Sequence, residues 1–358
     1  MRIRQLWLTD FRNYRQAELR PDADGLTVVV GANGQGKTNL LEAVAYLATL
    51  ESFRGAPTEA MVRAGEEAAV VRAEGERGGL TVLLETEIRV TGRNRALVNR
   101  QPLRRARDLL GALRVTVFSP EDLALVQGPP AGRRSLLDGA LASLHLRYDA
   151  LRGDVERVLR QRAALLRQAG GRLSSEVTST LDVWDAKLAE LGTALADARA
   201  ALVGDLEPAV AKAYEAVAGE PAAVSLSYRR SWAGPLAEAL SAARPDDLRR
   251  AATTVGPHRD ELEITLADMP ARTHASQGEQ RSLALALRLA VHALVTERIG
   301  EPPVLLLDDV FSELDPRRSE ALVGTLPTGQ SLLTTATGAP AGTNPALVLH
   351  VEGGRILS

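Results

Sequence analysis

Eight consecutive residues constrain this chain more than any others: Gly31-Ala32-Asn33-Gly34-Gln35-Gly36-Lys37-Thr38 fits the pattern GxxxxGK[ST]. Leu26 to Val30 ahead of it is an apolar run, and Thr38 to Leu50 behind it carries helix formers, so the order is strand, loop, helix. In that setting the glycines let the backbone curl until its N–H groups and the helix N-terminus face the oxygens of a phosphate. The chemistry assigns expected roles. Lys37 reaches the β- and γ-phosphates and Thr38 ligates Mg²⁺, which makes ATP and Mg²⁺ the expected cofactors.

A nucleotide site of this kind needs carboxylates, and Val304-Leu305-Leu306-Leu307-Asp308-Asp309 supplies an apolar strand ending in two acids. A strand adjacent to the P-loop strand would bring Asp308 beside the Mg²⁺, as a metal residue acting through water, while Asp309 orients or deprotonates the attacking water. Lys37 and Asp309 are the candidate catalytic residues that this chemistry selects.

The rest of the sequence bounds the partners. With 358 residues the chain is longer than most single domains, and no run of roughly 18 apolar residues marks a membrane span. The start lacks the sections of a secretory signal, so a cytoplasmic protein with no membrane partner is expected. The absence of Cys excludes disulfides, thiol nucleophiles and a cysteine zinc hook. A formal charge of −2 gives no global attraction to nucleic acid, so a DNA surface has to be local. Arg clusters at Arg93, Arg95, Arg100, Arg104, Arg105 and Arg107, at Arg133-Arg134, from Arg147 to Arg167, and at Arg229-Arg230. On sequence alone, solvated faces with intervening acids explain such clusters better than DNA does.

Glycine-punctuated strands between Ala68 and Leu103 read as an antiparallel meander. Leu137, Leu141, Leu144, Tyr148, Leu151, Val155 and Val158 alternate steps of four and three, as do Leu181 to Leu202, with Gly170-Gly171 between the runs. Two such helices fold back as a short antiparallel hairpin or serve as ordinary core helices. Three segments follow: 1–125, a nucleotide-binding lobe; 126–299, a mostly helical lobe; and 300–358, a return to the first lobe.

About thirty residues before Asp308, Ser276-Gln277-Gly278-Glu279-Gln280 opens a long helix and resembles the signature motif of the ABC ATPases. In that family the serine and the helix N-terminus bind the γ-phosphate of ATP held by the opposite subunit, so the resemblance adds Ser276 to the candidate catalytic residues. Ser312-Glu313-Leu314-Asp315 resembles the D-loop of the same proteins. The implied fold is α/β: an ABC-type P-loop ATPase head, a mixed sheet with an antiparallel β meander, and an inserted helical lobe carrying the hairpin. The implied assembly is an ATP-dependent homodimer.

Further segments narrow the resemblance: Leu8-Thr9-Asp10-Phe11-Arg12-Asn13-Tyr14, Ser52-Phe53-Arg54, Phe118-Ser119-Pro120-Glu121-Asp122-Leu123, Gly128-Pro129-Pro130 with Arg133-Arg134, and Gly256-Pro257-His258-Arg259-Asp260. Together they are similar to the RecF family, recombination mediators related to SMC-type heads, along essentially the whole chain. The resemblance implies a weak, DNA-stimulated ATPase that binds double-stranded DNA and junctions between single and double strands. It also implies RecA loading at gaps with RecR and the RecO system, and links to replication restart and the SOS response. By analogy with SMC-type heads, Arg12 and Asn13 lie against the nucleotide; a structural role for Arg12 in pinning the N-terminal strand is the other reading.

Departures from the wider ABC pattern point to slow hydrolysis. Asp309 stands where a Glu is usual, Thr334-Thr335-Ala336-Thr337 holds no switch His, and Gln127 is only a weak candidate for a Q-loop glutamine. A transporter subunit is disfavoured by the same losses and by the helical insertion. An SMC-like clamp with long arms is disfavoured by the short heptad runs. For DNA contacts the expectation is Arg93 to Arg107 or Arg133-Arg134.

Overall fold

The computed structural model describes residues 1–357, and the backbone but not the side chain of Glu313. In chain order the first elements are β1 (Arg2–Phe11), β2 (Tyr14–Leu19), β3 (Leu26–Val30), α1 (Lys37–Thr49), β4 (Ala68–Arg77), β5 (Leu80–Arg89), β6 (Arg95–Val98), β7 (Gln101–Pro102) and β8 (Val115–Phe118). A largely helical stretch follows with α2 (Ala124–Gln127), α3 (Pro130–Leu144), α4 (Arg147–Ala169), α5 (Ser175–Ala218), β9 (Val224–Arg229), α6 (Leu236–Arg250), β10 (Glu261–Leu266), β11 (Met269–Pro270), α7 (Ala271–His274) and α8 (Gln277–Ile299). The chain closes with β12 (Val304–Asp308), α9 (Pro316–Thr325), β13 (Ser331–Thr335), β14 (Leu347–Glu352) and β15 (Arg355–Leu357).

Two compact units result. The first comprises 1–122, 212–221 and 284–358; the second comprises 123–211 and 222–283. The helical lobe expected over 126–299 therefore gives up its last stretch. From Ala284 onward α8 belongs to the first unit, because Leu285 and Leu289 pack with Val28, Leu305, Leu307 and Leu333.

The first unit stacks two six-stranded sheets. One is antiparallel in the order β2-β1-β4-β5-β6-β7 and contains the expected meander; the other runs β15-β14-β3-β13-β12-β8. In the second sheet β14, β3, β13, β12 and β8 are parallel neighbours, with β15 antiparallel at the edge. Period-two alternation then loads both faces of each buried strand. Val29, Leu306 and Leu332 point into a core with α1 and the antiparallel sheet, where Leu40, Val44, Leu6, Val71 and Ile88 meet them. Val28, Leu305, Leu307 and Leu333 load the opposite face. Burial of these side chains, at about 1.5–3 kcal/mol each, dominates the stability of the unit.

One side chain stitches β1 to the start of β13. Gln330, 3% exposed, accepts from Ile3 N–H at 2.7 Å and donates to Ile3 C=O at 2.6 Å and to Asp22 C=O at 2.8 Å. Ile3 lies beyond the part of β1 that pairs with β2, which runs from Leu6 to Phe11, and its amide is paired instead by a side chain that imitates a strand.

In the second unit, α4 and α5 form the expected antiparallel hairpin, with Val155 and Val158 packed against Leu188 and Leu195, and Leu166 against Leu181. Gly170, at φ 57°, terminates α4. The first heptad run is not one helix: α3 ends at Leu144, His145 is extended, and α4 starts at Arg147. Within the Arg-rich run, Arg162 is fully buried, not solvated, and its guanidinium meets Asp185 at 2.7 Å, Asp247 at 2.6 Å and Thr253 Oγ1 at 2.9 Å. It ties α4, α5 and α6 together.

Candidate functional site

The P-loop takes the form its glycines require. Gly36, at φ 116°, ends the turn, and a Cβ there would lie 2.6 Å from Asn13 Nδ2 and 2.9 Å from the Tyr14 hydroxyl. Those two side chains brace the loop from outside: Asn13 Nδ2 donates to Gln35 C=O at 2.9 Å and Tyr14 O–H donates to Gly36 C=O at 3.0 Å. Burial raises the pKa of Tyr14 far above the ordinary phenol value, so it remains a donor. Beside Asn13, Gly354 N–H donates to the same Gln35 C=O and Gly353 N–H to Gln35 Oε1. A loop held this way keeps its own amides fixed before any ligand arrives, which is electrostatic preorganisation.

Lys37, 6% exposed, opens α1 and folds back so that Nζ donates to Gly31 C=O at 2.7 Å and Ala32 C=O at 3.0 Å. Its ammonium therefore spans the mouth of the loop. A cleft of about 360 Å³ lies there, lined by Asn33, Gly34, Gly36, Lys37, Thr38, Asn39, Arg54 and Asp309.

Asp308 meets the P-loop across a strand. In the sheet, β13 lies between β3 and β12, so the expectation that the acid-bearing strand neighbours the P-loop strand is corrected. Thr334 on β13 fills the gap: its hydroxyl donates to Asp308 Oδ1 at 2.7 Å, and Thr38 Oγ1 donates to the same oxygen at 2.8 Å. Burial raises the Asp308 pKa, the two hydroxyls oppose that shift, and the nearby charges of Glu121 and Asp309 add to it.

Asp309 follows in the left-handed region at φ 48°, with its N–H on Thr334 Oγ1 at 3.0 Å. That bend separates the two acids: Asp308 stays buried, and Asp309 lines the nucleotide cleft as well as a second cavity of about 620 Å³ with Phe311, Ser312 and Thr335. Asp is among the residues that tolerate this backbone conformation.

The donor set suits a small hard cation. A hydroxyl and a carboxylate converge at Thr38 and Asp308, and no group of three or more acids, His or Cys that could hold a metal is present among the described residues. Mg²⁺ characteristically takes one or two protein oxygens and completes its shell with water and substrate phosphates, so the residues fit that ion.

Arg12 and Asn13 do not line the cleft. Arg12 grips the fully buried Glu42 of α1 bidentately, at 2.7 and 2.6 Å, and donates to Ala60 C=O at 2.8 Å. Asn13 Oδ1 accepts from Asn39 Nδ2 at 2.8 Å. Arg54 and Asn39, by contrast, line the cleft and were not singled out from sequence as site residues. At Asn39 the signal was position alone, in the first turn of α1, whereas Arg54 ends Ser52-Phe53-Arg54, a segment that carries the family resemblance.

In the second unit Ser276 is the N-cap of α8 in a capping box. Ser276 N–H donates to Glu279 Oε2 at 2.6 Å and Glu279 N–H to Ser276 Oγ at 3.3 Å. Gln277 and Gly278 form the first turn, and Gln280 is buried. Arg133 is buried as well, bidentate on Glu261 at 2.7 and 2.8 Å, and Arg134 donates to Asp260 C=O at 2.8 Å. Arg133 is thus removed from the expected DNA contacts. Arg93, Arg95, Arg100, Arg104, Arg105 and Arg107 are exposed around β6 and β7.

In the segment expected to be a D-loop, Ser312 Oγ donates to Asp309 C=O at 2.8 Å and Leu314 N–H reaches Phe311 C=O at 3.4 Å. Asp315 caps α9 by accepting from Arg318 N–H at 3.0 Å, which together with the Arg318 guanidinium holds its carboxyl below the usual range. The side chain of Glu313 lies outside the described residues. The lineage segment after β8 is explained by Asp122, which receives Ser119 N–H at 3.0 Å and the Arg288 guanidinium at 2.6 Å.

Residues 2–335 match the family model described as RecF/RecN/SMC N terminal domain. The DNA replication and repair protein RecF of Frankia alni is 47% identical over 355 residues, covering 94% of this chain and 93% of that protein. The RecF of Cutibacterium acnes is 40% identical and covers 100% of this chain and 98% of its own length. Among solved structures, that of the recombination mediator protein RecF with ATP, in the RecFOR pathway, superposes with a TM-score of 0.91 at 27% identity, covering 99% and 97% of the two chains.

Proposed function

The chain belongs to the RecF family of SMC-related, ABC-type ATPase heads, and on that premise we propose that it is an ATP-dependent DNA-binding protein that dimerises on ATP and opens on slow hydrolysis. The observation that carries the reading is the convergence of Thr38 and Asp308 on one position beside the Lys37 ammonium, with Asp309 facing the same cleft. In this reading the backbone N–H groups of 31–38 and the Lys37 ammonium hold the phosphates, while Thr38 and Asp308 hold Mg²⁺. When bound, the ion would neutralise charge on the phosphate oxygens. Asp309 orients and deprotonates the attacking water, and its side chain, one methylene shorter than Glu, makes turnover slow.

Closure uses the α8 N-terminus of a second copy. A capping box leaves Ser276 and the first turn ordered, and an anion brought to that turn gains from its backbone amides and the helix dipole. Arg12 acts at one remove by fixing α1 through Glu42, and Asn13 by bracing the loop. The segment Ser312-Glu313-Leu314-Asp315 serves as the D-loop.

The relatives' names, a DNA replication and repair protein RecF and a recombination mediator RecF of the RecFOR pathway, support a role in recombinational DNA repair. The proposal extends to RecO and RecR as partners in loading RecA at gaps, and to replication restart and SOS induction. No described helix is long and apolar enough to cross a membrane. A cytoplasmic site of action is part of the proposal. The exposed arginines around β6 and β7 are the proposed phosphate contacts. A salt titration of binding to gapped duplex tests this. Affinity should require ATP, and the combined change Arg93→Glu, Arg100→Glu, Arg104→Glu should flatten the log–log salt slope by about 0.9 for each phosphate no longer neutralised. Equal affinity without nucleotide, or an unchanged slope, would refute it.

A further inference from the structure

We infer that Gln127 is the positioning residue that sets the Ser276 turn for its phosphate, an inference that rests on the composite-site reading above. The side chain of Gln280 is buried, and its Nε2 donates to Ala271 C=O at 3.0 Å and Arg272 C=O at 3.1 Å. Backbone carbonyls only accept, so they fix which end of this carboxamide carries the hydrogens. Gln280 Oε1 must then face outward, and it receives Gln127 Nε2 at 2.6 Å. The donor at 127 is dictated by the two carbonyls on the far side.

These bonds close 271–280 on itself. α7 stands at one end, the first turn of α8 at the other, and Ser276 at the N-cap between them. Gln127 ties that closed loop to α2, which is a single turn of four residues and too short to persist by propensity. Arg133 holds α2 in place by donating from Nη1 to Leu125 C=O at 2.9 Å and Gly128 C=O at 3.1 Å, with Glu261 gripping the same guanidinium. At Gly128 a Cβ would stand 2.5 Å from Ala124 C=O, so the chain can leave α2 in this direction only with glycine. The strut runs from Glu261 through Arg133, α2 and Gln127 to Gln280, and ends at the turn that carries Ser276. A helix N-terminus discriminates a phosphate over tenths of an ångström, so a fixed turn lowers the reorganisation needed when two copies close.

Gln127 is itself exposed, so its substitution leaves the packed interior intact. The test compares Gln127→Met, Gln127→Glu and Gln127→Lys with wild type and Ser276→Arg in the full chain. Fluorescent-ATP binding to the dilute protein, ATP-dependent dimer formation by sedimentation, and turnover at saturating ATP are read for each. Met removes the donor, Glu sets a second acceptor against Gln280 Oε1, and Lys keeps a donor. The expected result is unchanged ATP binding throughout, dimer formation weakened about five-fold or more in Met and Glu, the size of one lost hydrogen bond, and recovery in Lys. Turnover at saturation falls with the dimer. If all three variants dimerise and turn over as wild type while Ser276→Arg does not, the strut is overturned and the composite site stands. If Ser276→Arg dimerises normally, the composite site falls and this inference with it.

Discussion

Thr38 and Asp308, 270 residues apart in the chain, share a hydrogen bond of 2.8 Å from Oγ1 to Oδ1, and Thr334 gives a second hydroxyl to the same oxygen. The P-loop and the end of β12 are therefore in register before nucleotide binds. The arrangement stabilises a charge that burial opposes.

Asp308→Asn keeps an acceptor for both hydroxyls and removes that charge. The folded protein holds the Asp308 proton more tightly than the unfolded chain does, so the ionised carboxylate costs stability at neutral pH and the cost fades as pH falls through the folded pKa. Without nucleotide, Asp308→Asn should melt at or above the wild-type temperature at pH 7, and its advantage should shrink toward pH 4. Mg²⁺-dependent ATP turnover should fall about 100-fold or more. A variant that melts well below wild type at pH 7 would contradict this account of the site.

Arg162→Met tests the buried ion network of the second unit. It leaves Asp247 and Asp185 buried without the guanidinium, although Arg244 still meets Asp185 at 2.8 Å. Loss of one partner of such a pair costs about 3–5 kcal/mol. Urea unfolding at pH 7 should show a loss of that order. A variant as stable as wild type would show that the network contributes nothing.

Gln330→Ala removes the side chain that pairs both backbone groups of Ile3. Each buried backbone group left unpaired costs about 1–3 kcal/mol, so urea unfolding should show a loss of roughly 2–6 kcal/mol. Hydrogen exchange should locate the loosening at the start of β1. Unchanged protection of the Ile3 amide would contradict the role given to Gln330.

What was legible from sequence was local. The P-loop, α1, the meander, the parallel β12 and the helical hairpin each carry their signal within one segment, as glycine spacing or a period of two or 3.6. What was not legible depended on partners distant in the chain. Nothing in 304–308 reveals that β13 intervenes between β12 and β3, because strand order is set by how the whole sheet packs. β1 entered the sequence reading only as an N-terminal strand that Arg12 would pin, without bounds, since the register shift between Ile3 and Gln5 interrupts its alternation. The heptad run through 137–158 hides the break at His145, where neither glycine nor proline marks the end of α3. Arg133 and Arg162 looked like their exposed neighbours, and only the acids brought to them by the fold, Glu261, Asp185 and Asp247, distinguish them.

The proposed switch stands on one ATP being held by two copies, by the P-loop of one and the α8 N-terminus of the other. Sedimentation velocity with and without Mg²⁺ and ATP, on wild type, Lys37→Met and Ser276→Arg, tests it most directly. ATP should double the mass of wild type, Lys37→Met should neither bind ATP well nor dimerise, and Ser276→Arg should bind ATP yet stay a monomer. A Ser276→Arg protein that binds ATP and dimerises as wild type does would contradict the shared site.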